Sequence, residues 1–469
     1  MLRFLSRSSL RFNTYVTQLI SALPYASRHD PEVSSEGSID PLGTYPVAEQ
    51  LASRLGSPGV RERQRNLRFL TLCCIGWELM ESLPRDIEPG DPSATLEQCF
   101  EWLVVESLAG AADDEDGDSR RGLPGIMKAK RCLEQRIHLN ADRYLSMPSV
   151  FGFFGVYRTL SEYLELSAHA DGHPYLKPTG SALMNIWRKE QGLPGFSAHS
   201  EGEGKSQFRA LAEAFRATVK AGQVVSDKRA LKFIQEKMHH LKGSGVRERA
   251  ELRRLVTEQG QDAAAQNRRE LIAAIQSAKG RRLMEAANPD AEALLHKEIL
   301  RPDASSRLAP ILDAIRAYES FIGAIHSIFD ELRHYFPREQ SSLPLVAAAK
   351  LIPDFKARSA MIATLRSEAL KSLAFAPELA TRFDRTFSVL ADPARGADFL
   401  RILIAHHQKV QKEKPPKGKA SWIEMSGDVI AVRPGYQLDK PPAKDGRFVY
   451  FYRARPLFDF LRSSESRDA

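Results

Sequence analysis

Arg401 and His406 form the pairing in this sequence whose residue types and spacing best suit a reaction. In RNA cleavage, a histidine can take the proton of a 2′-hydroxyl and an arginine can stabilise the charged phosphorane. On one helix the two residues would point about 140° apart, so only their long side chains could meet in a cleft. Because the chain is rich in arginine, such a spacing arises easily by chance. Catalysis through this pair is therefore an alternative and not the main hypothesis.

Other signatures of catalysis or of a bound cofactor are absent from the sequence. It contains no phosphate-binding or dinucleotide-binding glycine loop, no nucleophile elbow and no zinc-protease helix. The four cysteines include no C-x-x-C pair, which predicts reduced and mostly buried thiols. The acidic turn at 111–121 does not fit a calcium loop, since Ala112 would occupy its first ligand position. We therefore predict no metal and no cofactor, and favour a chain that is not an enzyme.

Cationic side chains offer a different chemistry, the neutralisation of phosphates. The chain has 67 Lys and Arg against 59 Asp and Glu, a formal net charge of +8, which suits a polyanionic partner. In the tail, lysines are followed by aromatic residues that could stack bases, although a solvated loop beside a small β core is the alternative. The residues predicted to contact nucleic acid are Arg120, Arg121, Lys128, Lys130, Arg131, Arg158, Lys177, Arg188, Lys409, Lys412, Lys414, Lys417, Lys419 and Arg433.

Residues 151–189 contain the elements that would position several of these cations. Their pattern predicts a helix at 156–166, a hairpin around Asp171-Gly172 and a helix capped by Thr179, which together indicate a winged-helix-like module. The first helix carries Glu162 and Glu165, which disfavour a phosphate groove. We therefore expect backbone contacts from the preceding basic helix, and from Lys177 and Arg188. The alternative is a module that contacts only protein.

The remaining pattern predicts a mainly α, multidomain protein with this central module and a small C-terminal β element. Apolar spacing predicts buried stripes at 69–79 and 321–332, and the runs WIEM, VIAV and RFVYFYRARPLF predict strands followed by a short helix. The predicted divisions are an N-terminal helical domain (1–110), the winged-helix-like module (123–195), a helical domain with a basic face (207–345), C-terminal helices (346–412), and a basic loop with a β-hairpin (413–469).

Apolar run length bears on cellular location. The longest apolar run, at 69–77, is too short to cross a bilayer, which needs about 20 apolar residues. We therefore expect no membrane partner and a cytoplasmic protein. The basic, acid-free residues 1–28 leave a mitochondrial transit peptide as the alternative.

Three runs, FGFFGVYRTLSEYLELS, LKPTGSALMNIWRKEQGLPGF and HHQKVQKEKPPKGKASWIE, resemble bacterial proteins of mobile anti-phage defence gene clusters. The resemblance brings no catalytic residue with it. It implies a bacterial, cytoplasmic protein that works beside helicases, nucleases or methyltransferases. With the cations of the module and tail, the favoured function is a non-catalytic DNA-binding or DNA-sensing subunit of a defence assembly. A scaffold that binds only protein is the alternative, followed by a ribonuclease of the HEPN type using Arg401 and His406. Paired cations would favour the scaffold, whereas an unpaired stripe would favour binding of nucleic acid.

Overall fold

The computed structural model describes residues 40–56, 59–61, 63–110, 122–170, 173–286, 288–414, 418–442 and 447–465. Up to residue 190 the elements are α1 (Tyr45–Gly56), α2 (Arg68–Glu81), α3 (Leu96–Ala109), α4 (Ile126–Glu134), α5 (Pro148–Phe151), α6 (Phe153–Tyr163), β1 (Ser167–Ala170), β2 (His173–Leu176) and α7 (Pro178–Glu190).

From residue 205 the chain continues with further helices and three short strands. These elements are α8 (Lys205–Ala221), α9 (Lys228–Lys237), α10 (Val246–Glu258), α11 (Ala263–Gln276), α12 (Ala278–Glu285), α13 (Ala291–Leu295) with a π turn (His296–Leu300), α14 (Ala309–Tyr335), β3 (Leu343–Pro344), α15 (Leu345–Ala349), α16 (Phe355–Ser372), α17 (Pro377–Phe387), α18 (Ala397–Glu413), β4 (Ile423–Ser426), β5 (Val429–Val432) and α19 (Ala454–Ser463).

Helices dominate the described chain, which confirms the predicted mainly α fold class. Strands β1 and β2 pair antiparallel, with Ser167 opposite Leu176. The other sheet has the order β3-β5-β4, and both of its pairings are antiparallel. No helix among the described residues combines the length and the apolarity that a membrane span requires.

The described chain divides into two compact units, and this division differs from the five predicted parts. One unit comprises residues 40–50 and 312–450, and the other comprises 51–311 and 451–465. The boundary predicted between 123–195 and 207–345 lies inside the second unit.

Helix α2 is central to the unit formed by 51–311 and 451–465. The predicted stripe Phe69, Leu72, Ile75 and Leu79 is buried, and most of the helix's other side chains are buried as well. Aromatic rings surround it: the ring centroid of Phe69 lies 5.2 Å from that of Tyr157. A helix that is apolar on all sides must be enclosed by other elements. Here helices α3, α6, α7 and α10 and strand β2 pack against it.

A buried carboxylate holds the start of α6. Glu101 of α3 accepts hydrogen bonds from the backbone N–H of Phe154 at 2.6 Å and from the Tyr144 hydroxyl at 3.0 Å. These bonds satisfy one of the backbone donors that every helix leaves unpaired at its N-terminus. Gly152 is required beside this contact, because a Cβ there would lie 2.1 Å from Glu101 Oε2.

Helix α14 organises the unit formed by 40–50 and 312–450. Its predicted apolar stripe is fully buried, with Phe321, Ile325 and Phe329 each at 0% exposure. The Phe321 ring centroid lies 5.1 Å from that of Phe387 in α17, and the Phe329 centroid lies 4.8 Å from that of His407 in α18. The prediction of a strong amphipathic helix at 319–336 is confirmed.

Two local predictions are wrong. Thr179 does not cap α7; the helix follows Lys177, and Pro178 occupies its first position, where a missing N–H costs nothing. The run RFVYFYRARPLF does not form a strand, since the described part of 447–453 is irregular and α19 begins at Ala454. The predicted strands at WIEM and VIAV are present as β4 and β5. Residues 1–28, 111–121 and Asp171-Gly172 lie outside the described residues.

Candidate nucleic-acid interface

The cations predicted on the helix–hairpin–helix segment are bound to carboxylates of the same unit. Arg158 of α6 pairs with Glu97 of α3, and Lys177 pairs with Glu165 at 3.1 Å. Arg188 of α7 pairs with Glu78 of α2. Since each charge already has an opposite partner, these side chains offer little net charge to a phosphate.

Helix α6, predicted to face nucleic acid, is buried along most of its length. Phe153, Phe154, Val156 and Leu160 all lie in the core. Glu162 is its exposed side chain, and Arg158, Thr159 and Tyr163 are half-buried. A recognition helix must expose several side chains to a groove. The structure leaves α6 without such a face.

Arg188 lines a cavity of about 180 Å³ together with Glu78 and Glu81. Burial raises the pKa of Glu78 to about 7, although the neighbouring Arg188 acts to lower it. Arg188 also donates from Nε to the Phe196 carbonyl at 2.7 Å and from Nη1 to Asn185 Oδ1 at 2.9 Å. Because the donors of Arg188 are engaged and Glu81 adds a second carboxylate, this cavity is poorly suited to a phosphate.

In the other unit, the predicted basic tail separates into engaged and exposed residues. Arg433 donates two hydrogen bonds to Glu424, at 2.7 and 3.0 Å, across the β4–β5 pairing. Lys414 is half-buried, and burial lowers its pKa. Lys409 and Lys412 are exposed on α18 without an acidic partner among the described residues. Lys419 is half-buried, and Lys417 lies outside the described residues.

Arg401 and His406 have separate structural partners. Arg401 pairs with Asp428 at 2.5 Å and reaches the Gly427 carbonyl at 3.4 Å, at the turn between β4 and β5. His406 is 5% exposed, and its Nε2 donates to the Leu42 carbonyl at 2.9 Å. Burial lowers the pKa of His406. Neither group is presented to a substrate in the way that the ribonuclease alternative needs.

A hydroxyl–imidazole contact in the same unit resembles a nucleophile–base pair but is fully occupied. Thr44 Oγ1 lies 2.9 Å from His326 Nε2, 2.7 Å from the Tyr450 hydroxyl and 3.2 Å from Asp40 Oδ1. Thr44 can donate its one proton to the carboxylate and accept from the other two groups. Because Thr44 is 0% exposed, this network fixes the chain before α1 and does not face a substrate.

Helix α4 presents the cations that remain. We define the α4 cluster as Lys128, Arg131 and Arg143, all exposed. Lys128 Nζ donates to the Tyr144 carbonyl at 2.8 Å, so the residue that follows Arg143 contacts α4. Arg131 lies one turn after Lys128 on the same helix. Lys130 is half-buried on the same helix. The two predicted neighbours Arg120 and Arg121 lie outside the described residues.

Glu106 does not neutralise the α4 cluster. It is buried, its Oε1 lies 2.7 Å from His138 Nδ1, and its Oε2 accepts from the Leu139 N–H at 2.7 Å. Among the described residues no cation of the cluster forms an ion pair; Lys128 donates to the Tyr144 carbonyl and Arg143 to the His138 carbonyl. Glu134 and Asp142 are exposed close by in the sequence, but within the described part of the chain neither forms an ion pair with the cluster, whose three cations therefore remain available to an anion.

Sequence reasoning missed Arg143. It follows Arg131 by twelve residues with no periodic relation, and only the chain reversal after α4 brings this part of the chain back to that helix. The sequence signal was the high density of cations in 128–143, of which the predicted contact residues included none after Arg131.

Comparison with protein-family models, curated proteins and solved structures finds no match to this chain.

Proposed function

We propose that this chain is a non-catalytic nucleic-acid-binding protein, with DNA as the first candidate, that holds the phosphate backbone through the α4 cluster. The absence of an ion pair on these three exposed cations, within the described part of the chain, supports this function. Lys and Arg that neutralise phosphates release condensed counterions, so an unpaired cluster gains more affinity than paired cations do. Lys409 and Lys412 offer further exposed charge on α18.

The succession α6, β1, β2 and α7 is winged-helix-like in element order, and we assign it a packing role. Its cations Arg158, Lys177 and Arg188 are engaged by acids, and α6 is mostly buried. By its resemblance to proteins of anti-phage defence gene clusters, the chain would work beside other protein subunits. Backbone contacts carry little sequence information, so we propose binding without strong sequence preference.

The test is fluorescence anisotropy of the full-length chain with a labelled DNA duplex, repeated across salt concentrations. A duplex of about 20 base pairs spans several phosphates. In the variant K128Q/R131Q/R143Q, the slope of log affinity against log salt should fall by about 2 to 3, because each lost phosphate contact removes about 0.9. The matched control is R247Q/R282Q/K297Q, which removes three exposed charges of the same unit from α10, α12 and the π turn. Equal slopes in the two variants would overturn the assignment to α4.

A protein-only scaffold is the second candidate, favoured by the ion pairs of Arg158, Lys177, Arg188 and Arg433. In a scaffold, cations serve to fix neighbouring elements and no polyanion is bound. The same titration separates the two functions. If neither duplex nor single-stranded DNA binds at low salt, the nucleic-acid-binding function is overturned and the scaffold function is favoured.

A further inference from the structure

Beside the α4 cluster, three large apolar side chains are exposed. Met127 is 72% exposed, Met147 is 46% exposed and Val150 is 44% exposed. We call these three residues the apolar strip. Single exposed apolar side chains are common, but three of them on the 24-residue segment that carries an exposed cationic cluster favour a contact surface.

The apolar strip and the cations are joined through described contacts. Lys128, next to Met127, donates to the Tyr144 carbonyl at 2.8 Å, three residues before Met147. Val150 and Phe151 follow in α5, and the Arg63 guanidinium lies over the Phe151 ring at 4.1 Å. Lys128 thus adjoins Met127 in the chain, and Arg63 contacts the residue that follows Val150.

We propose that this surface binds single-stranded nucleic acid, with phosphates on the cations and base faces on the apolar strip; this rests on the proposed function. A duplex keeps its base faces stacked inside, and would leave Met127, Met147 and Val150 without a partner. A single strand exposes phosphates and base faces along one backbone. Sequence-tolerant single-strand sites bind the phosphates with cations and the base faces with aromatic rings, whose place two polarisable methionines and a valine take here.

The experiment compares labelled oligonucleotides of one sequence as single-stranded DNA, single-stranded RNA and duplex DNA on the full-length chain. Single strands should bind at least about tenfold more tightly than the duplex. In M127Q/M147Q/V150T, affinity for single strands should fall about five- to tenfold with an unchanged salt slope, since no phosphate contact is removed. The matched control is Y175Q/V246T, which alters two exposed apolar residues elsewhere in the unit. Unchanged thermal midpoints in both variants exclude loss of folding.

Each result has a defined meaning. Tighter binding of DNA than of RNA, or the reverse, assigns the sugar, and either supports the single-strand site. Equal or tighter duplex binding that still requires the α4 cluster overturns the single-strand site and leaves the proposed function standing. If the apolar-strip variant binds single strands with wild-type affinity, the apolar strip does not contact the bases and the single-strand site is overturned. Binding to phosphatidylserine vesicles or to a poly-glutamate peptide, with no nucleic acid bound, overturns both proposals.

Discussion

At the scale of the residue, His407 shows how a buried side chain can depend on one protonation state. Its Nδ1–H donates to the Pro41 carbonyl at 2.8 Å, and its Nε2 accepts from the Trp422 N–H at 2.9 Å. Both bonds require the neutral ring, and burial lowers the pKa of His407 to about 4. Between its usual value of about 6.5 and this value, the unfolded chain binds a proton that the folded chain does not. This residue therefore reduces stability as pH falls through that window.

Replacing His407 by Gln removes the titrating group. We expect the slope of unfolding free energy against pH between 4.5 and 6.5 to be lower than in wild type, by up to about 1.4 kcal/mol per pH unit for one proton. At pH 7 the variant should be less stable by about 1 to 3 kcal/mol, because a buried donor or acceptor loses its partner. Urea unfolding at intervals from pH 4.5 to 7 measures both effects. The exposed His199→Gln is the control, and a His407 variant with the wild-type slope would contradict the assignment.

At the scale of the element, α6 depends on a carboxyl group outside its own sequence. Glu101 accepts from the Phe154 N–H, and burial raises the pKa of Glu101 to about 8, although Phe154 and Tyr144 act to lower it. An unfolded glutamate ionises near pH 4.5, so the folded chain holds an extra proton from there to about pH 8. This group therefore reduces stability as pH rises through that window.

Glu101→Gln should keep the cap and remove this pH dependence. The amide oxygen can accept from Phe154, and the NH₂ group can donate to the Tyr144 oxygen while that hydroxyl turns to the Pro124 carbonyl, 3.4 Å away. We expect a higher urea midpoint than wild type at pH 8 and a smaller difference at pH 5. Glu101→Ala also lacks the titrating group. At pH 5 it should be less stable than wild type by about 1 to 3 kcal/mol, since the Phe154 N–H stays buried and unpaired, and at pH 8 this deficit should shrink. If the Gln and Ala variants unfold alike, Glu101 does not act as a proton-dependent cap.

Sequence patterns predicted the elements whose cause is local. The 3.6-residue apolar period at 321–332 predicted α14 because it records which face of the helix becomes buried. The β-branched residues of VIAV predicted β5. The aromatic run RFVYFY also has strand-forming residues, yet buried glutamates distant in sequence take its backbone donors. Glu319 accepts from the N–H of Val449 at 2.5 Å, and Glu292 accepts from the N–H of Tyr452 at 2.5 Å. A β-strand needs those same N–H donors for pairing with a neighbouring strand. Local sequence does not show that a distant glutamate will accept from them instead.

The candidate interface was predictable to a similar extent. Lys128 and Arg131 followed from the charge of α4, but the engagement of Arg188 by Glu78 joins residues 110 positions apart. Arg158 meets Glu97 across 61 positions. Net charge and local spacing count cations equally, whereas tertiary pairing decides which of them can face a phosphate.

At the scale of the whole molecule, buried titratable groups of opposite kind shape the response to pH. Burial raises the pKa of four carboxyl groups and lowers the pKa of four imidazoles. The carboxyl groups are Glu78, Glu101, Glu248 and Asp459, and the imidazoles are His296, His326, His406 and His407. Compared with the unfolded chain, the folded chain therefore binds more protons at these carboxyl groups and fewer at these histidines.

Between about pH 4.5 and 6.5 these two effects oppose each other, so stability should change little with pH. Above pH 6.5 the histidines are neutral in both states and only the acids act, with Glu78 at about 7 and Glu101 at about 8. Stability should therefore fall from pH 6.5 to 8, placing the maximum on the acid side of neutrality. The urea midpoint measured every half pH unit from 4.5 to 8.5 checks this, and Glu101→Gln should flatten the alkaline decline. A midpoint that keeps rising through pH 8 would show that these carboxyl groups remain ionised in the folded protein.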